Sequence, residues 1–298
     1  MLIEAAVSKE SRRGQDQLTW ALLLMQAERL DEAEPVLKTL LGREEFRANA
    51  YYHLGEIAKA QGETELAIDR FLRVEQSELI IDARRQLALL ALEQHDPEQA
   101  NRWFAEARLL FPSFAQDLLV AEAQFSLAHD APEQAVVIAN EALTNDPNDR
   151  QLLYIRALAN EQMDRITDTE IDLRRILEAN PEDADALNAL GYTLADRTDR
   201  HEEAYALIRQ ALDHAPEAPH ILDSMGWVLY KLGRLNEAVP YLEKAWSLMP
   251  DHEIAAHLGE VLWALGRTKE AEKIWQAGYE LTPESDIITA TMSRLKNS

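Results

Sequence analysis

The chain has 298 residues, 47% of them hydrophobic and 28% charged, with a formal net charge of −23. Composition of that kind folds, and with 10 glycines, 11 prolines and no Gly/Ser- or Pro-rich linker the chain reads as one continuous body. Its acidity sets it against phosphate backbones and anionic headgroups, so nucleic acid is not an expected partner. The absence of cysteine removes disulfides, thiolate metal sites and cysteine nucleophiles.

In chain order, residues 1–13 come first. Their apolar run is too short for a secretory signal, Glu4 interrupts it, and no basic region precedes it. No stretch of the chain approaches the roughly 20 apolar residues that span a bilayer. From residue 14 a fixed period governs the sequence. Small anchors recur at Ala21, Gly55, Ala88, Ala123, Ala157, Gly191, Gly226 and Gly259, spaced 34, 33, 35, 34, 34, 35 and 33 residues apart. Twelve residues on (thirteen for Ala204) stands a second small residue: Ala33, Ala67, Ala100, Ala135, Thr169, Ala204, Ala238 and Ala271. Four further on comes an apolar one: Leu37, Phe71, Phe104, Ala139, Leu173, Ile208, Leu242 and Trp275. Six copies close on a proline, at Pro112, Pro147, Pro181, Pro216, Pro250 and Pro283; the first two have Glu45 and Leu79 there.

The residue types imply two antiparallel helices per copy. The two small residues sit where the helices cross and let the backbones approach. The large apolar residue fills space against the next copy, and proline ends the second helix. The loops KLGRLNEA, ALGRTKEA and AQGETELA place glycine where a helix end takes a left-handed residue. Residues 284–298 form a capping helix, with Ser285 as N-cap and Ile288, Met292 and Leu295 on its apolar face. Stepping the frame back 34 residues from Leu37 and Leu40 reaches Ile3 and Ala6. Residues 1–13 then read as the remnant of a preceding repeat, packing on the helix that contains Trp20; an ordinary N-terminal helix is the alternative.

This pattern resembles the tetratricopeptide repeat over nearly the whole of residues 14–283. The resemblance implies an all-α, right-handed superhelical solenoid of about eight helix-turn-helix repeats, built to hold proteins rather than to catalyse a reaction. Catalytic signatures are missing. The eight histidines form no HExxH or HxxxH motif and read as solvated, and GxGxxG, GxxxxGKS and GxSxG do not occur. No enzyme activity, cofactor or metal is expected.

Trp20, Trp103, Trp246 and Trp275 fall at positions of the repeat that pack within or between helices. Trp227 and Trp263 fall one and four residues after their anchors, which in this repeat class face the concave groove. Tyr192 is equivalent to Trp227, and Tyr230 to Trp263. The candidate partner-binding patch is therefore Tyr192, Trp227, Tyr230 and Trp263, edged by Asn188, Asp223 and Glu260; the alternative is that the rings stack between neighbouring first helices. The Lys and Asn clamp of chaperone-docking members is absent, since its positions hold Leu18, Tyr52, Arg85, Val120, Tyr154, Asn188, Asp223 and Ala256.

The last three copies, ALNALGYTLAD, EEAYALIRQAL, PHILDSMGWVLYKLGRLNEAVPYLEKAW and PDHEIAAHLGEVLWALGRTKEAEKIW, are similar to proteobacterial outer-membrane tetratricopeptide-repeat lipoproteins. Those of the Pseudomonas type bind and activate a periplasmic carboxyl-terminal processing protease. The resemblance implies an adaptor that brings this protease and its substrates together in the periplasm. That family carries a lipid-modified N-terminal cysteine and further upstream repeats, neither of which is in this sequence. Membrane attachment is thus expected only through a lipid anchor on a longer chain. The alternative is a scaffold for assembly of cell-envelope machinery, cytoplasmic or membrane-associated, with no protease partner.

Overall fold

Small residues at two points of each period let adjacent helices touch, and the pairing recurs along the chain. The computed structural model describes the backbone of residues 2–75 and 77–296 and the side chains of residues 12–75 and 77–296. Among these there are seventeen α-helices, one short 3-10 turn at Pro112–Phe114 and no strand. They fall into two compact units, residues 1–142 and 143–298.

The first unit holds α1 (Leu2–Gln26), α2 (Leu30–Leu40), α3 (Glu44–Ala60), α4 (Thr64–Leu72), α5 (Leu79–Glu93), α6 (Pro97–Leu110), α7 (Ala115–Ala128) and α8 (Pro132–Ala142). The second holds α9 (Arg150–Gln162), α10 (Ile166–Ala179), α11 (Ala184–Arg197), α12 (His201–His214), α13 (Pro219–Lys231), α14 (Leu235–Leu248), α15 (His252–Ala264), α16 (Thr268–Leu281) and α17 (Asp286–Lys296). Consecutive helices pair as α1 with α2, α3 with α4 and so on through α15 with α16. Within each unit every pair packs on the next, and α17 packs on α15 and α16. The expected eight repeats and terminal helix are thus present.

All eight anchors and all eight second-helix small residues are buried. The glycine anchors are explained by contact. A Cβ on Gly55 would press into Phe71, on Gly191 into Ile208, on Gly226 into Leu242 and on Gly259 into the indole of Trp275. Thr169, the exception to alanine, buries its hydroxyl without loss because it donates to the Ala157 carbonyl across the helix crossing at 3.2 Å. The turn glycines Gly62, Gly233 and Gly266 have φ of 75°, 74° and 75°. The equivalent turns elsewhere force Glu28, His95, Asp130 and Asp164 into the same left-handed region.

Helix starts follow local chemistry. Asp96, Asp149, Asp183 and Asp251 cap first-turn amides. Several second helices begin instead with an arginine paired to a glutamate three residues on: Arg29 with Glu32, Arg200 with Glu203, Arg234 with Glu237 and Arg267 with Glu270. These pairs are exposed and screened by water, so they contribute little to stability. Ser285 Oγ accepts from the Ile288 amide at 3.4 Å, the cap expected for α17.

One expectation meets a different structure. Trp20 is 51% exposed rather than core. It stands one residue before its anchor, where later repeats bury Leu54, Leu87, Leu190, Met225 and Leu258; among the described residues no helix pair precedes α1 to cover it. Ile3 lies in the same helix as Trp20, because α1 runs unbroken from Leu2 to Gln26. The side chains of Ile3 and Ala6 lie outside the described residues, so their expected packing does too.

Candidate functional site

The candidate residues lie on α11, α13 and α15, neighbouring first helices of the second unit that pack in sequence. A first helix is flanked by its own second helix and by the pairs before and after it. In α13 every residue from Ile221 to Leu229 is buried, and in α15 every residue from Ile254 to Leu262. Polar groups on such helices need partners, because an unpaired buried charge costs several kcal/mol. The partners come from adjacent first helices.

Asp223 and His257 form one such link. Both are buried, and His257 Nδ1 donates to the Asp223 carboxylate at 2.9 Å to Oδ2 and 3.1 Å to Oδ1. Burial by itself would lower the His257 pKa; the carboxylates of Asp223, Glu253 and Glu260 outweigh it and raise the value. The expectation of solvated histidines therefore fails at His257, because its position faces the buried side of α13. Trp227 stacks on the His257 ring, with centroids 4.3 Å apart and planes at 24°, and lies 5.1 Å from Tyr230. Its Nε1 donates to Asp196 at 3.2 Å, and Lys231 Nζ lies 4.9 Å from the ring centroid while pairing with Asp196 at 3.4 Å. Only 7% of Trp227 is exposed.

Glu260 forms the next link. It is 2% exposed, accepts from the Tyr230 hydroxyl at 2.7 Å, and accepts from Arg294 of α17 at 2.6 Å. Burial first, and then the bond to Glu260, push the Tyr230 phenol up to about 12. Trp263 is half-buried with its ring 5.6 Å from Trp275, and Tyr192 is half-buried with its ring 6.3 Å from His257. Asn188 is buried, and its Oδ1 has no hydrogen-bond partner.

The structure thus joins Tyr192, Asp223, Trp227, Tyr230 and Glu260 through shared partners. It sets Trp263 against the core ring of Trp275 and leaves Asn188 as an unmatched acceptor. Asp196, Lys231, His257 and Arg294 join the same network and were not singled out from sequence. Arg294 was findable: it lies 34 residues after Glu260, one period on, in the helix recognised as the cap. Similar side-chain links join first helices elsewhere, with Lys59 donating to Gln86 and Arg85 to Gln124 in the first unit, and Arg197 to Glu161 in the second. Among the described residues no group of three or more His, Asp or Glu is arranged to hold a metal ion, and no helix is long and apolar enough to cross a membrane.

Comparison with known proteins agrees with this geometry. One tetratricopeptide-repeat family profile matches residues 18–78 and 172–219, and a second matches residues 229–290. The chain is 38% identical over 209 residues to the TPR repeat-containing protein PA4667 of Pseudomonas aeruginosa, covering 70% of this chain and 35% of that protein. It is 24% identical over 241 residues to a peroxisomal targeting signal receptor of Eremothecium gossypii, covering 78% of this chain and 40% of that one. The chain therefore spans well under half the length of these relatives. Among solved structures, a tetratricopeptide-repeat protein of Parabacteroides merdae superposes with a TM-score of 0.59 at 16% identity, over 96% of this chain and 100% of that one. The Thermus thermophilus protein TTC0263 does so with a TM-score of 0.55 at 21% identity, over 61% and 99%. At these identities the two structures speak for the fold alone. Repeat register, helix pairing and family matches converge: the chain is a tetratricopeptide-repeat protein.

Proposed function

We propose that this chain is a non-catalytic scaffold that holds a carboxyl-terminal processing protease of the periplasm, its substrates, or both, and so promotes proteolysis. The observation that carries the scaffold reading is the row of first helices α11, α13 and α15. Its buried acids and rings are locked by bonds from one repeat to the next, giving a rigid surface with polar groups already in place. A preorganised surface loses less freedom on binding. The protease enters through the similarity of the last three repeats to the lipoproteins that activate it. The 38% identity to a Pseudomonas aeruginosa repeat protein is in keeping with that source. In the longer protein a lipid anchor would place the scaffold at the outer membrane.

Activation has two physical routes. The scaffold can bind the active arrangement of the protease more tightly than the resting one, or it can raise the local substrate concentration by holding both. The test is capture from periplasmic extract followed by two rate measurements. Faster cleavage of a short peptide that the scaffold does not bind indicates the first route. Faster cleavage of whole-protein substrate alone indicates the second. If neither rate changes and no protease is captured, the protease reading is wrong.

A further inference from the structure

The capping helix does not sit where the repeat would place it. The first helices α3, α5, α7, α11, α13 and α15 each pack more on the second helix before them than on the first helix before them. α17 reverses this: it packs mainly on the first helix α15 and only slightly on the second helix α16. The residues of α16 give the reason. Val239 is buried on α14, whereas its register equivalent on α16 is Glu272, which is exposed. With Lys269, Lys273, Gln276 and Glu280, Glu272 lines an open groove along the outer face of α16. Charged side chains of this kind stay in water rather than under another helix. α17 therefore joins the row of first helices instead.

There it covers part of the candidate partner-binding surface. Arg294 donates to Glu260 at 2.6 Å and lies beside Tyr230, two of the residues that the repeat register assigns to the groove. Arg294 is exposed and the Glu260 side chain is buried beneath it. Ile288 is fully buried, with its Cδ1 close over the bare backbone of Gly278.

The attachment is thin. Among the described residues of α17 only Ile288 and Thr291 are buried, whereas α15 is buried from Ile254 to Leu262. Besides Arg294, its polar ties are Ser285 Oγ with His252 Nδ1 at 2.9 Å, the Thr289 hydroxyl with that of Tyr279 at 2.9 Å, and Lys296 with Glu272 at 3.8 Å. A segment with few buried apolar contacts opens ahead of the body that it covers. When α17 lifts, the seat of Ile288 is vacated and Glu260 becomes a carboxylate without its cation.

We propose that α17 is the chain's own occupant of the C-terminal end of the binding surface, displaced there by a helix of the protein that the scaffold holds. The inference rests on the scaffold reading and names the form its partner takes. The entering helix carries an apolar side chain for the seat of Ile288 and, at the spacing found in α17, an arginine for Glu260 and Tyr230. Until it arrives α17 keeps the seat filled, so only the fraction of molecules with α17 lifted is competent to bind.

The chain has no cysteine, so a single introduced thiol reports the motion. In the full chain, Thr291→Cys places one on the buried face of α17, and Ser224→Cys, buried in α13, is the reference. Thiol labelling of Thr291→Cys should run at least about 100-fold faster than that of Ser224→Cys, since α17 opens without the rest of the unit. Equal rates would make α17 part of the body and overturn the inference. A peptide of residues 284–296 at about 1 mM should speed labelling of Thr291→Cys at least about threefold, by holding the seat while α17 is off. The same peptide with Ile288→Ala and Arg294→Ala should not. No acceleration, or equal acceleration by both peptides, overturns the seat. Should a cysteine variant fail to fold, amide hydrogen exchange of the wild type decides: α17 should exchange at least about 100-fold faster than α15 and faster still with the peptide, and equal protection overturns the inference. Capture of a protein from periplasmic extract separates the inference from the reading beneath it. Arg294→Glu loosens α17 and should capture more partner than the wild type. Equal capture by both overturns the inference and leaves the scaffold standing. Labelling as expected with no protein captured by either sinks the scaffold reading and leaves the helix seat standing.

Discussion

Replacing His257 with Phe should destabilise the second unit by about 3–4 kcal/mol, because it strands the Asp223 carboxylate. Asp223 is 8% exposed and His257 6%, so water can replace neither partner without opening the α13–α15 contact. Phenylalanine keeps a ring against Trp227, whose centroid lies 4.3 Å from the histidine ring, so the change removes the donor more than the packing. The double variant Asp223→Leu/His257→Phe should recover much of the loss, giving a coupling of at least ~2 kcal/mol in the cycle. The sign with pH is set by the raised pKa of His257. A raised folded-state value contributes stability that is complete below the unfolded value of about 6.5 and is lost as pH rises through the folded value. Urea midpoints of the wild type, followed by tryptophan emission, should therefore fall on going from about pH 6 to about pH 9, and His257→Phe should flatten that fall. A single-variant cost under ~1 kcal/mol, or a double variant costing the sum of the two singles, would refute the buried pair as a stabilising link.

Gly259→Ala should cost about 1–3 kcal/mol, because the new methyl meets the indole of Trp275 rather than a movable chain end; thermal melts measure it, and a neutral result would mean that α16 shifts freely. His95→Gly should raise stability by roughly 0.5–1 kcal/mol by relieving a left-handed residue at φ 59°, read as a higher urea midpoint of the first unit. Truncation of Trp227 to Ala should cost about 3–5 kcal/mol of stability, since the ring is 7% exposed. The half-buried Trp263 is the better probe of binding: Trp263→Ala should weaken capture of a partner by on the order of 1–4 kcal/mol if it is a hot spot, with unchanged affinity showing it to be core.

The repeat itself was legible in the amino-acid order. A helix crossing tolerates only small residues, a helix end favours glycine or proline, and both constraints act within one period. The anchors, the second-helix alanines and the cap at Ser285 could therefore be placed without coordinates. The register also brought Tyr192, Trp227, Tyr230 and Glu260 to neighbouring first helices. What the period could not say is how much of each side chain remains exposed, because that depends on what a neighbouring repeat lays over it. Trp20 and Trp227 illustrate the two outcomes: the first is open because no described pair precedes it, the second closed by His257, Lys231 and Asp196. His257 had no signal of its own, since its hydrogen-bond partner Asp223 is 34 residues away in sequence and 2.9 Å away in space. Burial and pairing are properties of two repeats in contact, and only the packed helices decide them.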